Sequence, residues 1–303
     1  MIDLSTQLTV IVTTSPIPTH PSTQIIDETI ESFLFFDTQG SVKVILANDA
    51  CHPDASDKVR DTYANYLDKI AEKYSTNEKF KIIQLKNWGC LAGNIFNAIK
   101  VVETPYVLIV QHDFKFVEEI AIKDCIEAMN AFEHIKHIRF NRQANYPYVF
   151  DCDPKKRIKN YREESYKIQA QSRELTLIKT LGWSDNNHLC KTKYYRDVVS
   201  KLIGKRRTFP EHPCNLASDK ILHKLFGTYI YGGLGKEGVI QHLDGRGTRS
   251  IEIEFEETSE KTQAVRDHLM AAYKLNVLRI KVGFERGLYR LIAYWLLFRQ
   301  RFF

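Results

Sequence analysis

The sequence lacks the markers of several protein classes. Its six cysteines contain no C-x-x-C pair, so we expect neither a zinc site nor a disulfide framework, and reduced thiols favour the cytoplasm. No apolar run reaches the roughly 18 residues that a membrane span needs. No Asn-x-Ser/Thr sequon, signal-peptide pattern or internal repeat is present. These absences predict an ordinary globular protein.

The basic charge of the chain is confined to its last part. The net charge is +6, and residues 273–303 contain seven Lys or Arg and one Glu, so the first 272 residues are neutral overall. A general nucleic-acid-binding surface is therefore not expected. Within the basic part, residues 288–299 form an apolar segment with basic interruptions. Such a segment can lie in a membrane interface, pack on the domain or contact a second copy, and the sequence leaves these alternatives open.

Strand and helix patterns alternate through the first half of the chain. The order β-α-β-α predicts an α/β protein with a mainly parallel sheet and helices on both faces. The order then degrades, and the charged, Tyr-rich stretch 151–167 is expected to be a long loop. The predicted strands are 8–14, 42–49, 81–85, 106–113, 137–140 and 239–242, and the predicted helices are 25–36, 57–74, 91–102, 118–132, 218–226 and 262–275.

The fourth strand ends in Gln111, His112 and Asp113. Open α/β sheets bind their ligands at the carboxyl ends of the strands. Because carboxylates and imidazoles are metal ligands, we expect a metal at this position that could hold a diphosphate. The alternative is that Asp113 only caps a helix beginning near Glu118.

Polar groups also follow the other strands. Thr13, Thr14 and Ser15 end the first strand, where their hydroxyls contact a nucleotide or simply form a turn. Asp49 ends the second strand and suits a ribose hydroxyl or a base, with a turn residue as the alternative. Gly89 opens the third helix, where backbone amides favour anions.

These segments, in this order, resemble the GT-A fold glycosyltransferases, most closely the inverting family-2-like enzymes. The likeness rests on 10–15, 44–49, the Asn-x-Gly-x-x-x-Gly-Asn run of 87–94, and Gln-His-Asp in place of the family's Asp-x-Asp. It implies a GT-A (Rossmann-like) catalytic domain over 1–250, followed by an acidic linker and a basic helical tail over 251–303. It also implies a nucleotide-sugar donor, with UDP as the leading nucleotide, a glycan or glycolipid acceptor, and Mn²⁺ or Mg²⁺.

The resemblance assigns catalytic and metal-binding roles. Asp219, at a predicted helix start, takes the place of the general base, or else caps that helix. His242 follows at the spacing of the family's last metal ligand and would join Asp113, or else is structural. Ser218 stands where the family usually has Glu, which makes Glu211 a rival base.

The donor-binding candidates complete this picture. Gln111 replaces the first Asp of Asp-x-Asp, so only one carboxylate reaches the metal from that strand. Trp183 offers a stacking face, Asp185 and Asn186 suit sugar hydroxyls, and Arg246 suits a diphosphate. The full set is Thr13, Thr14, Ser15, Asp49, Gly89, Asn94, Gln111, His112, Trp183, Asp185, Asn186 and Arg246.

The predicted activity is transfer of a sugar to an acceptor hydroxyl, with inversion and metal assistance. Two alternatives remain. A sugar nucleotidylyltransferase would need a Gly-rich, Arg-bearing loop after the first strand, whereas residues 13–21 contain no Gly. A degenerate nucleotide- or sugar-binding module is compatible with the loss of the first Asp.

Overall fold

The computed structural model describes residues 2–34, 41–145, 162–168, 173–218, 223–243 and 274–302. The strands are β1 Leu8–Thr14, β2 Lys43–Asn48, β3 Phe80–Gln84, β4 Tyr106–Gln111, β5 Phe114–Phe116, β6 His137–Arg139, β7 Arg162–Ile168, β8 Arg173–Lys179, β9 His188–Lys191, β10 Thr228–Tyr231 and β11 Ile240–His242. The helices are α1 Leu4–Gln7, α2 Gln24–Leu34, α3 Asp57–Tyr74, α4 Cys90–Ile99, α5 Ile122–Ala131, α6 Thr192–Tyr194, a π-helical turn Tyr195–Val199, α7 Ser200–Ile203, α8 Glu211–Ala217, α9 His223–Phe226 and α10 Lys274–Phe302.

A nine-stranded sheet organises the described residues, in the order β3-β2-β1-β4-β9-β6-β10-β8-β7. The strands β3, β2, β1 and β4 are parallel to one another, as is the pair β6 and β10. β9, β8 and β7 join antiparallel. β1 is buried along its whole length, which is typical of a central strand covered on both faces. The predicted α/β class with a C-terminal helix is confirmed.

Two apolar cores lie on the two faces of this sheet. Side chains alternate across β1, so Val10 and Val12 belong to one core and Ile11 to the other. Helices α2, α3 and α5 cover the first core, and α4, α7 and α10 cover the second. The α10 contribution comes from Tyr289 and Ala293 together with Leu296.

The structure differs from the sequence-based expectations in several places, including the following. The expected loop over 151–167 contains strand β7 from Arg162, and its earlier part lies outside the described residues. β7 is an edge strand, where charged side chains are tolerated, while Tyr166 packs into the core. The helix expected from 118 begins at Ile122, because the chain first forms β5. The helix expected over 218–226 is represented by α9, with 219–222 outside the described residues.

The described residues bear on the expectations for the C-terminal segment and for the cysteines. No helix among them is long and apolar enough to cross a bilayer. The five described cysteines are all free of disulfides. The predicted domain boundary at 250, the acidic stretch and most of the helix expected over 262–275 fall outside the described residues.

Candidate functional site

Three parallel strands end side by side at one edge of the sheet. Thr13 lies opposite Ala47 of β2 on one side and opposite Gln111 of β4 on the other. This register brings the residues that follow each strand, Asp49 and Asp113, to the same edge. The sheet therefore assembles the polar strand ends where ligands of open α/β sheets bind.

Asp113 and His242 form a partly buried pair at this edge. β11 runs antiparallel to β5 with His242 opposite Phe114, which places the imidazole beside Asp113. His242 Nε2 lies 3.0 Å from Asp113 Oδ2, and its ring stacks on Phe114 with centroids 4.6 Å apart. Burial raises the pKa of Asp113, but the hydrogen bond with His242 and the nearby imidazoles outweigh this and lower it below its ordinary value. The next helix begins at Ile122, so Asp113 does not cap it.

The geometry of this pair suits a divalent cation. In an octahedral site with metal–ligand bonds of about 2.1 Å, two neighbouring ligand atoms lie about 3 Å apart. The observed distance of 3.0 Å between His242 Nε2 and Asp113 Oδ2 is close to this value. Among the described residues, no third His, Cys, Asp or Glu joins them to form a cluster. Mg²⁺-type sites often use one or two protein ligands and complete the shell with substrate phosphates and water. Asp113 and His242 therefore fit a metal that is shared with a diphosphate.

A second carboxyl pair consists of Asp185 and Glu211. Glu211 begins α8, and its Oε2 accepts hydrogen bonds from Ser184 Oγ (3.1 Å) and the Asp185 backbone N–H (3.4 Å). The Asp185 carboxyl is itself hydrogen-bonded to Glu211. Burial, together with the neighbouring Glu211 charge, raises the pKa of Asp185 to about 8. At neutral pH the pair therefore holds one proton, carried by Asp185, because two adjacent carboxylates do not both ionise readily.

Gln111 links the end of β4 to the loop that carries Asp185. Its Nε2 donates to the Asp185 carbonyl oxygen at 2.9 Å, and its backbone N–H donates to Asn187 Oδ1 at 3.0 Å. Asn187 Nδ2 donates in turn to the Phe114 carbonyl oxygen at 2.8 Å. The loop that carries Asp185 is thus fixed to the end of β4. In this position the Gln111 side chain fixes the loop that carries Asp185.

The raised pKa of Asp185 predicts a pH-dependent effect of Asp185→Asn. The unfolded carboxyl ionises near pH 4, whereas the folded one keeps its proton to about pH 8, so wild-type stability falls as pH rises across this window. Asn mimics the protonated carboxyl and avoids that cost. We expect the variant to gain about 2 to 4 kcal/mol in free energy of unfolding at pH 8 and almost nothing at pH 4.

Urea unfolding of both proteins at several pH values measures this effect. Asp54→Asn, an exposed carboxyl distant in sequence from the pair, is the control and should show no such trend. A stability difference for Asp185→Asn that does not grow with pH would contradict the shared-proton description.

Asp49 holds the start of α4 against the end of β2. Its Oδ1 accepts the Gly89 N–H at 2.7 Å and the Ala50 N–H at 2.8 Å. Burial raises the pKa of Asp49, and these amide hydrogen bonds only partly counteract it. Asn94 donates to the carbonyl oxygens of Thr14 and Ala47, which joins α4 to two strand ends.

Several predicted donor-binding side chains are buried and already engaged within the protein. Thr14 Oγ1 donates to Asn48 Oδ1 at 2.6 Å, and His112 Nδ1 lies 3.1 Å from the Thr13 carbonyl oxygen. Trp183 is fully buried, and its Nε1 donates to Tyr194 Oη. In this structure these side chains support the site, and the Trp183 ring offers no exposed face. Ser15 is exposed and Asn186 is half-buried at the same edge.

Asp219 and Arg246 lie outside the described residues. The structure adds three residues that the sequence reading did not single out. Trp88 is half-buried beside Gly89, and the Arg207 guanidinium lies over its ring at 5.9 Å and near Asp49. Arg142 lies over the Phe114 ring at 5.5 Å, on the ring that also stacks with His242. Trp88 lies within the 87–94 motif, but no sequence pattern places Arg142 or Arg207 at this site.

No protein-family model and no curated protein sequence matches the chain. Solved structures do match its backbone. TarS 1–349 from S. aureus in complex with UDP is 15% identical, with a TM-score of 0.47, over 77% of this chain and 59% of that chain. The same protein fragment solved without a named ligand gives 16% identity and a TM-score of 0.47 over 97% and 91% of the two chains.

A third match is a mannosyltransferase from Pyrobaculum calidifontis in complex with GDP-Man and Mn²⁺. It is 11% identical, with a TM-score of 0.45, over 96% of this chain and 74% of that chain. The chain spans about three fifths of the length of the TarS structure with UDP. Identities and TM-scores at this level describe distant likenesses of the backbone.

Proposed function

We propose that this protein is an inverting glycosyltransferase that moves a sugar from a nucleoside-diphosphate donor to an acceptor hydroxyl. One observation carries the proposal. The Asp113–His242 pair follows β4 at the carboxyl edge of the parallel sheet, and Gln111, the last residue of β4, binds the backbone of Asp185, whose carboxyl pairs with Glu211. The first pair suits the leaving diphosphate, and the second suits removal of a proton from the nucleophile.

Glu211 is the general base in this proposal. Its carboxylate takes the proton from the acceptor hydroxyl, the oxygen forms a bond to the anomeric carbon, and the bond to the diphosphate oxygen breaks. Asp185, protonated at neutral pH, donates a hydrogen bond to the Glu211 carboxylate and orients it. A base on the face opposite the leaving group gives inversion. Asp219, which the resemblance favoured, remains the rival base to be tested beside it.

Asp113 and His242 would hold the divalent cation, Mn²⁺ or Mg²⁺. A bound cation would neutralise charge that develops on the leaving diphosphate. Arg142, next to this pair through Phe114, supplies a further positive charge from the chain itself. The low pKa of Asp113 keeps this carboxyl ionised, and so ready to bind, throughout the neutral range.

The other end of the site suits the nucleoside. The half-buried ring of Trp88 lies under the Arg207 guanidinium and against the His52 ring, near Asp49, and this aromatic and charged cluster suits a nucleoside. Ser15 adds an exposed hydroxyl at the end of β1. Because no side chain here reads the base in an obvious way, UDP stays a proposal from the resemblance alone. The acceptor, a glycan or a glycolipid, is likewise proposed on that basis.

Thermal unfolding with UDP-, GDP-, dTDP- and CMP-sugars, each with and without Mn²⁺, tests this function. A ligand that binds only the folded state at 100 times its Kd stabilises it by about 2.7 kcal/mol. We expect one nucleotide class to raise Tm in a Mn²⁺-dependent manner. A Tm that rises with nucleoside triphosphates and sugar phosphates instead would favour the nucleotidylyltransferase. Binding without any turnover would favour the degenerate module.

A further inference from the structure

Helix α10 has two apolar faces, and among the described residues one of them packs on the domain. Tyr289, Ala293 and Leu296 are buried in the second core. On another side of the helix, Leu291 is 70% exposed and Trp295 is 56% exposed. Residues four positions apart lie on the same helical face, so these two side chains form one outward apolar strip. We call Leu291 and Trp295 the outer strip.

A basic groove lies beside α10. It has a volume of about 550 Å³ and is bordered on the helix side by Leu296 and Arg299. Five cationic and two acidic side chains line it, which gives a net positive charge. The cationic residues are Lys136, Lys191, Lys193, Lys201 and Arg299, and the acidic ones are Glu133 and Asp197.

The cations of this groove are incompletely neutralised by the protein. Lys193 and Lys201 share the single carboxylate of Asp197, each at 2.8 Å. Burial lowers the pKa of Lys136 and of Lys191, and the charge of Lys191 lowers that of Lys136 further. An anion entering the groove would relieve this like-charge crowding.

The outer strip and the groove are adjacent through Arg299. Its guanidinium lies 5.5 Å from the Trp295 ring centroid, and the same residue borders the groove. Aromatic and aliphatic side chains next to Lys and Arg are the composition of helices that lie in the interface of a membrane. No described helix can cross a bilayer, so such contact would be peripheral.

We propose that the outer strip and the basic groove together dock this protein on a bilayer that contains anionic phospholipid. Leu291 and Trp295 enter the interface, and a lipid headgroup phosphate occupies the groove. The paired apolar and cationic features favour a lipid surface over a second copy of the chain, since two copies would bring like-charged grooves together. This proposal does not depend on the transferase activity, which the sugar-transfer rate measures separately.

Flotation with vesicles tests the docking surface. The intact chain is mixed with vesicles of pure phosphatidylcholine, or of phosphatidylcholine with 30% phosphatidylglycerol, at low and high salt. We expect binding to the anionic vesicles only, weakened by salt. Leu291→Ala with Trp295→Ala should reduce this binding at least about tenfold. Lys193→Ala with Lys201→Ala should reduce it about 25-fold, because each of the two cations near an anionic surface contributes about fivefold.

Control variants remove exposed apolar side chains and an equal number of charges elsewhere. Val117→Ala with Phe209→Ala removes side chains that are 51% and 57% exposed, and Lys58→Ala with Lys100→Ala removes two charges. Both should bind as the wild type, and thermal unfolding verifies that all variants fold. Absence of wild-type binding, equal loss in the controls, or a dimer in sedimentation that the outer-strip variant dissociates would each overturn the proposal.

Discussion

Glu211→Gln is expected to lower kcat for sugar transfer by about 10²- to 10⁴-fold, while the Kd for the donor changes little. The amide keeps the size of the side chain and can still hydrogen-bond to Ser184 and Asp185, but it cannot accept a proton from the acceptor. Loss of a general base has an effect of this size. Initial rates at saturating donor, together with donor titration, separate the two parameters.

Two other variants make this result specific. Asp219→Asn tests the rival base and should retain most of the activity. Glu285→Gln is the control. Glu285 lies 3.9 Å from His212, the residue that follows Glu211 on α8, but it is not part of the pair with Asp185. Its substitution should change kcat very little. Full activity in Glu211→Gln with loss in Asp219→Asn would assign the base to Asp219 and contradict the role of the Asp185–Glu211 pair.

Asp113→Asn is expected to weaken Mn²⁺-dependent donor binding at least about tenfold and to lower turnover by more than about 100-fold. Asn keeps the shape and can still hydrogen-bond to His242, but it removes the one carboxylate that the structure places beside that imidazole. Mutation of residues that hydrogen-bond to metal ligands typically lowers metal affinity by about 10- to 100-fold. Mutation of a direct ligand should lower it at least as much.

Asp124→Asn is the matched control for this change. Asp124 is also a buried carboxyl, but it lies on α5, away from the strand ends. It should leave the Mn²⁺ dependence of donor binding unchanged, whatever it does to Tm. Equal Mn²⁺ dependence in wild type and Asp113→Asn would remove Asp113 from the metal site.

The parallel half of the fold could be predicted from sequence because its signals are local. Apolar runs such as 106–110 mark buried strands, and the amphipathic pattern of 57–74 gives the helix with its exact ends. Strand β7 was not predicted, because a charged edge strand has no apolar alternation to distinguish it from a loop. The C-terminal helix was predicted, but which of its faces is buried could not be, because that depends on the core against which the helix packs.

The candidate site divides in the same way. Asp113 and His242 could be proposed together from the family resemblance, and the pairing of β11 with β5 brings them into contact. The pairing of Asp185 with Glu211 could not be predicted from the sequence, because it depends on a loop that Gln111 and Asn187 hold in place. Trp183 was expected to stack on a sugar, but its apolar ring is buried in the second core, and Trp88 is the accessible tryptophan at the site.

The most direct test of the transferase proposal is the identity of the products formed from nucleotide-sugars. The wild type is incubated with each donor and Mn²⁺, with and without candidate glycan acceptors, and the products are identified by mass spectrometry. We predict release of a nucleoside diphosphate from one donor class, strongly reduced in both Glu211→Gln and Asp113→Asn. Formation of nucleoside triphosphate and sugar phosphate from the donor and pyrophosphate, or nucleoside diphosphate release that both variants retain, would contradict the account.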